Sequence, residues 1–312
     1  MRILITGGAG FIGAALANQL LLEGHAIRVI DDLSAGDQTR LHPDVHFTRG
    51  DVGDKPKLWA LLNRVDCVYH LAARVSVSES ILYPREYNAT NVGGTVALME
   101  AMRDAGVKRV VLASSGAIYG EQAQQPVSED LPPRPTSPYG VSKLAAEHYV
   151  LSIGQLWGIE TVILRIFNAY GPGQHLSPAH PPVIPHLMQQ ALWEGSLTVH
   201  GDGRQIRDFA FIDDVVNSLA AAATAQEVNQ RIINIGSGRG VSINELVKLI
   251  GQVTRRNLQV LHLNTESRGV SQLVADITLA QKLLKYKPKT ALVDGLARLL
   301  TDDPRFQKSE IT

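Results

Sequence analysis

The chain has 312 residues, 45% hydrophobic and 19% charged, which is enough for a substantial core and too apolar for a disordered polymer. Thirty basic residues balance thirty acidic ones, which gives no support to nucleic acid or an anionic membrane as the main partner. The single cysteine, Cys67, rules out an internal disulfide, has no metal-ligand companion and fits a reducing cytoplasm.

Arg2 to Thr6 is a short branched apolar run that reads as a buried strand. Glycines follow at Gly7, Gly10 and Gly13, and helical spacing of apolar residues runs from Phe11 to Leu22. Strand, glycine turn and helix in that order form the context in which such glycines mean dinucleotide binding. Gly7 allows the tight turn, Gly10 leaves room for a pyrophosphate, and Gly13 lets the helix approach the sheet. The free N–H groups at the helix start, around Phe11 and Ile12, would face the phosphates. The spacing is G-x-x-G-x-x-G, with Gly8 as an extra glycine, and a turn without a ligand is the alternative. The N-terminus lacks the basic segment and long apolar region of a secretory leader, and no stretch of about eighteen apolar residues marks a membrane span.

Ala26 to Ile30 reads as the second strand and ends at Asp31-Asp32. A carboxylate about twenty residues after the turn can accept hydrogen bonds from the adenosine ribose. It would also repel the 2′-phosphate of NADP, and no Lys or Arg follows until Arg40, so NAD is favoured. Val45 to Thr48 is a third strand, followed by Asp51, which could accept from the adenine amino group, and Val52, which could pack on the ring. A helix over Lys55 to Arg64, a strand over Cys67 to Leu71 followed by Ala72-Ala73, and a long helix over Arg85 to Ala105 come next. Arg109 to Ala113 is the fifth strand and ends in Ser114-Ser115. Gln122 to Pro138 is a proline-rich loop, Tyr139 to Trp157 a helix, and Thr161 to Phe167 the sixth strand. Repeated β-α alternation with apolar strands predicts an α/β fold with a Rossmann-type, doubly wound parallel sheet covered on both faces.

The character changes after Asn168. Gly171 to Pro185 carries Pro172, Pro178, Pro181, Pro182 and Pro185 and cannot stay regular for long. Shorter elements follow: helices near Ile184–Trp193, Leu219–Ala225, Ile243–Gln252 and Thr278–Leu284, and strands at Leu197–Val199, Ile206–Phe211 and Arg231–Ile235. The expected division is a nucleotide-binding domain over 1–170 and a smaller C-terminal α/β lobe over 171–312 that binds substrate, some of whose elements return to the main sheet.

The strongest chemical signal is Tyr139-Gly-Val-Ser-Lys143. Residues four apart lie on one helix face. A free tyrosine titrates near pH ~10 and is a poor base at neutral pH. A nearby ammonium, together with the positive nicotinamide ring, favours the phenolate. Ser115, at the end of the fifth strand, can hydrogen-bond the same substrate hydroxyl. With a nucleotide turn in the same chain, these three residues read as a catalytic set; an exposed Tyr–Lys helix pair is the alternative.

These residues sit in longer motifs: TGGAGFIG at Thr6–Gly13, DDLS at Asp31–Ser34, HLAA at His70–Ala73, NVGGT at Asn91–Thr95, SSGAIYG at Ser114–Gly120, YGVSK at Tyr139–Lys143, LRIFNAYGPGQ at Leu164–Gln174 and GDGRQIRDFAFIDD at Gly201–Asp214. In that order they resemble the extended short-chain dehydrogenases/reductases of the NAD-dependent nucleotide-sugar epimerase/dehydratase family, over nearly the whole length. Within it the chain is most similar to the 4-epimerases of UDP-glucose. The resemblance implies Tyr139 as the base for the sugar 4-hydroxyl, Lys143 as the residue that holds the nicotinamide ribose and tunes Tyr139, and Ser115 as the group that orients the hydroxyl. It implies cofactor contacts at Asp32, Ser34, Leu71, Ala72, Ala73, Ser114 and Phe167, and substrate contacts at Asn168, Arg207 and the backbone of Leu197 to Val199. Arg207 would be a charge-assisted donor to the diphosphate, with a surface ion pair to Asp208 as the alternative. A homodimer built on the helices Arg85–Ala105 and Tyr139–Trp157 is also implied.

Gly116 and Ala117 bear on the reaction. Family members that remove water from a 4-keto sugar resemble one another in carrying Asp or Glu directly after the Ser/Thr, and glycine and alanine cannot transfer protons. A uronate decarboxylase would also show an acid there, and an epimerase-reductase would need NADPH, against Asp31. Simple 4-epimerisation needs only Ser115, Tyr139, Lys143 and NAD, with UDP-glucose/UDP-galactose as the leading pair and UDP-uronate or UDP-N-acetylhexosamine as alternatives. A dehydratase or reductase on the same scaffold, and a non-catalytic NAD-binding protein, are the other classes. Where the family usually shows Arg-Pro-Gly-Asp, this chain has Glu266-Ser267-Arg268-Gly269. Either Arg268 takes the diphosphate role after a shift or the contact is lost. His175 and His180, on a proline-rich loop, are sugar contacts, zinc ligands or solvated residues; no metal site is expected.

Overall fold

The computed structural model describes residues 1–177, 180–194, 196–263 and 269–307. Its strands are β1 (Arg2–Thr6), β2 (Ala26–Asp31), β3 (His46–Arg49), β4 (Cys67–His70), β5 (Arg109–Ser115), β6 (Glu160–Ile166), β7 (Asn168–Tyr170), β8 (Ser196–His200), β9 (Ile206–Phe211), β10 (Arg231–Ile235), β11 (Gly240–Ser242), β12 (Gln259–Leu263) and β13 (Gln272–Leu273). The helices are α1 (Phe11–Leu22), α2 (Lys55–Leu61), α3 (Val77–Leu82), α4 (Pro84–Tyr87), α5 (Gly94–Ala105), α6 (Pro138–Trp157), α7 (Val183–Gln189), α8 (Ile212–Ala222), α9 (Ile243–Thr254), α10 (Thr278–Leu284) and α11 (Leu292–Asp302).

Seven strands form a parallel sheet in the order β10-β6-β5-β4-β1-β2-β3. In β1 the side chains alternate between two cores. Ile3 and Ile5 join one with α1 and α8, and Leu4 joins the other with α2, α5 and α6. Chain order reverses between β1 and β4, and in open α/β sheets ligands bind beyond the carboxyl ends of the strands at such a point. Thr6 there pairs with Ile30 of β2 and His70 of β4. The seventh strand, β10, lies late in the sequence and pairs parallel with β6. The remaining strands form smaller sheets, with β9 between β11 and β13 and also paired to β7, and β8 paired to β12.

Several expectations shift at this level. The helix read over Arg85 to Ala105 is α4 and α5 joined by a π-helical stretch, Asn88–Gly93. The wide turn follows from buried Asn91, whose side chain pairs with both backbone groups of Arg74. The helix read over Leu219 to Ala225 begins seven residues earlier, at Ile212, with Asp213 and Asp214 in its first turn, where carboxylates suit the positive end of the helix dipole. Helix α7 starts at Val183, with Pro185 tolerated in its first turn. Strands β7 and β13 are too short to show a period.

The glycine turn is held by backbone contacts. Gly7 has φ +68°, and a Cβ there would lie 2.6 Å from the Ala72 nitrogen. A Cβ at Gly13 would lie 2.3 Å from the Gly7 carbonyl oxygen. Backbone on both sides cannot yield as a side chain can. Gly13→Ala should therefore lower stability by about 1–3 kcal/mol, read as an earlier urea midpoint; an unchanged midpoint would mean that the helix can lift from the sheet freely.

Candidate active site

Helix α6 carries the central pair. Ser137 caps it by accepting from the Gly140 N–H at 3.1 Å, and Pro138 occupies the first turn. Tyr139 and Lys143 then fall on one face, and both are buried. Lys143 Nζ donates to the Ala113 carbonyl of β5 at 2.6 Å. Burial pushes this ammonium down to about 8, against the attraction of Glu147. Burial also pushes the Tyr139 phenol up, and the Ser115 hydroxyl hydrogen bond opposes the rise. Burial thus sets the direction for Tyr139 here, whereas the expected lowering counts on Lys143 together with the positive nicotinamide ring. The Tyr139 ring is fixed from the side by the edge of Tyr87, with centroids 6.4 Å apart.

Ser115 ends β5, and its Oγ accepts from the Ala117 N–H at 3.1 Å, starting the short turn Gly116–Ile118. A Cβ at Gly116 would lie 3.2 Å from the Phe167 ring. The position beside Ser115 is therefore a packed glycine under an aromatic ring. Phe167 shares its core cluster with Ile118, Tyr119 and Val127.

Around the carboxyl ends of β1, β2 and β4 lie the residues expected to hold a dinucleotide. Gly10 precedes α1 with no side-chain cap, so the N–H groups of the first turn at Phe11 and Ile12 remain for an anion. Asp31 accepts from Ala9 N–H at 3.0 Å and Leu33 N–H at 2.9 Å. Asp32 accepts from the N–H and hydroxyl of Ser34 at 2.9 and 2.7 Å, a local turn. Asp51 closes a turn onto Gly53 N–H, and Val52 is buried against Gly94. Leu71, Ala72 and Ala73 leave β4 beside Gly7. The Ser114 hydroxyl is buried without a hydrogen-bond partner among the described residues. An uncapped helix start, an orphaned hydroxyl and a buried ammonium with one of its three protons on Ala113 fit a phosphate-linked, hydroxyl-rich cofactor such as NAD.

The expected substrate contacts lie further into the lobe. Asn168 Nδ2 donates to the Asp208 carbonyl at 2.9 Å. Arg207 Nη1 donates to the Ile206 carbonyl at 2.8 Å, and burial lowers its pKa against the charge of Glu121. The alternative Arg207–Asp208 pair does not form. The Asp208 carboxylate is buried and accepts from Ser237, Gly238 and Ala275, tying β9 to the turn after β10. Leu197 and Val199 are buried in the lobe core, so only their backbone could face a ligand. Arg268 lies outside the described residues, as does part of the loop between His175 and His180. Among the described residues no three His, Cys, Asp or Glu side chains gather as a metal site, and no helix is long and apolar enough to cross a membrane.

One set of residues beneath the site was not singled out from the sequence. His70 is buried between Thr6 Oγ1 at 2.7 Å and Thr95 Oγ1 at 2.8 Å. Thr95 gives its proton to the Asn91 carbonyl, so His70 Nε2–H donates to Thr95 and Nδ1 accepts from Thr6. Asn91 donates to Ser142, and Ser142 donates to the Tyr139 carbonyl. A directed chain thus joins the strand end under the glycine turn to the first turn of α6. Burial and the nearby Lys143 push His70 down to about 3. The sequence signal was a polar residue closing an otherwise apolar strand.

Comparison with known proteins agrees with this geometry. The model of the NAD dependent epimerase/dehydratase family matches residues 3–236. The chain belongs to this family. A UDP-glucose 4-epimerase of Streptomyces lividans is 34% identical over 303 residues, 93% of this chain and 92% of that protein. The UDP-glucose 4-epimerase of Thermotoga maritima, solved with UDP-glucose, superposes with a TM-score of 0.92 at 32% identity, covering 96% and 98% of the two chains. The UDP-glucuronic acid 4-epimerase of Bacillus cereus, solved with UDP-glucuronic acid and NAD, has a TM-score of 0.88 at 33% identity over 97% and 99%. Membership makes the chain NAD-dependent.

A histidine at about 3 in the native state and at 6.5 when unfolded makes stability fall as pH drops below 6.5, because the unfolded chain takes a proton that the fold refuses. His70→Phe removes that linkage and leaves the Thr6 hydroxyl proton without its acceptor, costing about 1–3 kcal/mol. The stability gap between wild type and His70→Phe, measured by urea unfolding, should narrow by about 1.4 kcal/mol per pH unit below pH ~6; a gap independent of pH would place the proton elsewhere.

Proposed function

We propose that this family member is a nucleotide-sugar 4-epimerase, with UDP-glucose and UDP-galactose as its pair. The observation that carries the reading is Gly116, packed under Phe167 directly after Ser115. The position lacks an acid, and a side chain there would press on the ring. Elimination of water would need such an acid; epimerisation needs only the groups present. The named activity of the S. lividans and T. maritima relatives supports the same reading.

NAD, when bound, supplies a hydride acceptor at the sugar C4 and returns the hydride, so no net oxidation results. Tyr139 takes the proton of the 4-hydroxyl and later gives it back. Ser115, which already hydrogen-bonds Tyr139, orients that oxygen as hydroxyl and then as ketone. Lys143, anchored on Ala113, keeps a positive charge beside the phenol and has protons left for a ribose hydroxyl. Asn168 and Arg207 reach the diphosphate, and the backbone of β8 reaches the base. Residues 1–170 hold the cofactor and 171–312 the nucleotide sugar, with β10 lent to the main sheet.

The working protein is a cytoplasmic homodimer in this reading. Ile81, Leu82 and Tyr83 at the end of α3, together with Val141 and Tyr149 on α6, are exposed large apolar side chains. They flank a surface cavity of about 500 Å³ lined by Pro84, Asn88, Pro138 and Val141. Exposed apolar patches of this kind mark interfaces. Light scattering should give twice the chain mass, and Val141→Asp should give the chain mass; a wild-type monomer removes the dimer from the proposal.

Incubation with UDP-glucose, UDP-glucuronic acid and UDP-N-acetylglucosamine, with products weighed by mass spectrometry, tests the reaction. An epimer of unchanged mass is expected, and a product lighter by one water would make the protein a dehydratase. Tyr139→Phe should lower turnover by about 10²–10⁴-fold while NAD still copurifies. Lys143 loses its charge above about 8, so turnover should decline on the alkaline side of that value; a rate that keeps rising to pH ~10 would show that the ammonium is not needed.

A further inference from the structure

One turn beyond Lys143 on the same face of α6 lies Glu147, and it is as buried as the catalytic pair. Residues four apart on a helix have neighbouring side chains. Arg165, on β6, grips the carboxylate with both arms of its fork: Nε donates to Oε1 at 3.0 Å and Nη2 to Oε2 at 2.8 Å. The side chains are 1% and 3% exposed. The guanidinium is held on its other side by the face of Tyr119, 4.8 Å from its centre, and the Tyr119 hydroxyl donates to Asn234 at 2.7 Å. Arg165 Nη1 is buried without a hydrogen-bond partner among the described residues, and the clamp is held by the carboxylate and the ring.

A buried ion pair of this kind adds little stability over apolar residues of the same size. Its place in the fold suggests another use. Beneath a buried ammonium it presents the negative member of the pair on the ammonium's own helix, with the positive member set back on the sheet.

We propose that Glu147 is a positioning residue for Lys143, its carboxylate held still by Arg165 so that Lys143 stays an ammonium at the working pH. The inference rests on the roles given above to Tyr139 and Lys143. Around Lys143 stand Glu147 from α6, neutral His70 from β4 and the Ala113 carbonyl from β5, with Tyr139 one turn earlier on α6 and Arg165 of β6 on the far side of Glu147. Of these, Glu147 favours the charged form, against burial. The clamp sets how much of that attraction Lys143 feels. Loss of the carboxylate leaves Lys143 with burial and the Arg165 charge, and its proton comes off earlier. Loss of the guanidinium leaves the carboxylate to Lys143 alone, and the proton is held longer.

The test reads Lys143 directly. Protein carrying ¹³C at lysine Cε is titrated by NMR, with the Lys143 signal assigned by its absence in Lys143→Met. Glu147→Gln should lower the Lys143 midpoint by about one pH unit, tenfold in its acid constant. Arg165→Gln should raise it, and the alkaline limb of turnover should follow each shift. If neither single variant folds, Glu147→Gln combined with Arg165→Met removes both members of the buried ion pair, and the Lys143 midpoint should also fall. A Lys143 midpoint equal to wild type in any folded variant lacking Glu147 overturns the proposal, even with turnover intact. Midpoints that move in a protein inert toward every nucleotide sugar support the clamp and reject the epimerase reading.

Discussion

The near-contact of three stretches of backbone, at Gly7, Gly13 and Ala72, governs the geometry of the whole nucleotide half. With 2.6 Å and 2.3 Å as the distances that a Cβ would have to accept, no side chain fits between the turn after β1, the first turn of α1 and the exit of β4. The helix start is therefore brought directly over the switch point of the sheet. Its free N–H groups, with the positive end of the helix dipole, face the crevice that the reversal of strand order opens. The affinity for a pyrophosphate thus follows from close packing of backbone, with no lysine or arginine needed in the turn.

Polar side chains carry that register from the turn to the chemistry. Thr6 closes β1, His70 closes β4, and Thr95, Asn91 and Ser142 pass the hydrogen bonds on to the carbonyl of Tyr139. Every member is buried, so a break at one link would leave donors and acceptors without water to replace them. The π-helical stretch at Asn88–Gly93 belongs to this chain: the wider turn brings Asn91 between Arg74 and Ser142. Charge is handled on the opposite side of α6, where Glu147 and Arg165 neutralise each other beneath Lys143. The catalytic helix is thus fixed by a neutral network on one side and an ion pair on the other.

Much of this was legible in the residues. Strands such as Arg2–Thr6 and Ile206–Phe211 are visible because apolar runs bounded by turn residues leave few other structures open to them. The Ser115, Tyr139 and Lys143 set is visible because side-chain spacing on a helix is a local property. Long-range packing was not legible. Strands β7 and β13 exist only because β9 offers an edge, and the π-turn exists because Asn91 finds partners far along the chain. The start of α8 was missed because the alanine run at Leu219–Ala225 draws attention away from the acidic first turn at Asp213-Asp214. The burial of Tyr139 was not legible for a related reason. Proximity to a lysine can be seen in the sequence, whereas desolvation depends on burial by other elements.

That desolvation has a chemical consequence. A phenol held above its ordinary pKa is a poor base until further positive charge arrives beside it. Burial lowers the Lys143 ammonium itself to about 8, so its charge is lost above that value. The oxidised nicotinamide ring would bring such a charge when NAD is bound. Proton removal from the substrate is then coupled to the presence of a group able to take the hydride, since the same positive charge favours both. In the proposed reaction Tyr139 would take the hydroxyl proton while bound NAD would accept the hydride from C4, and both would then be returned. A chain without an acid beside Ser115 offers the ketone formed between those two events no route other than return.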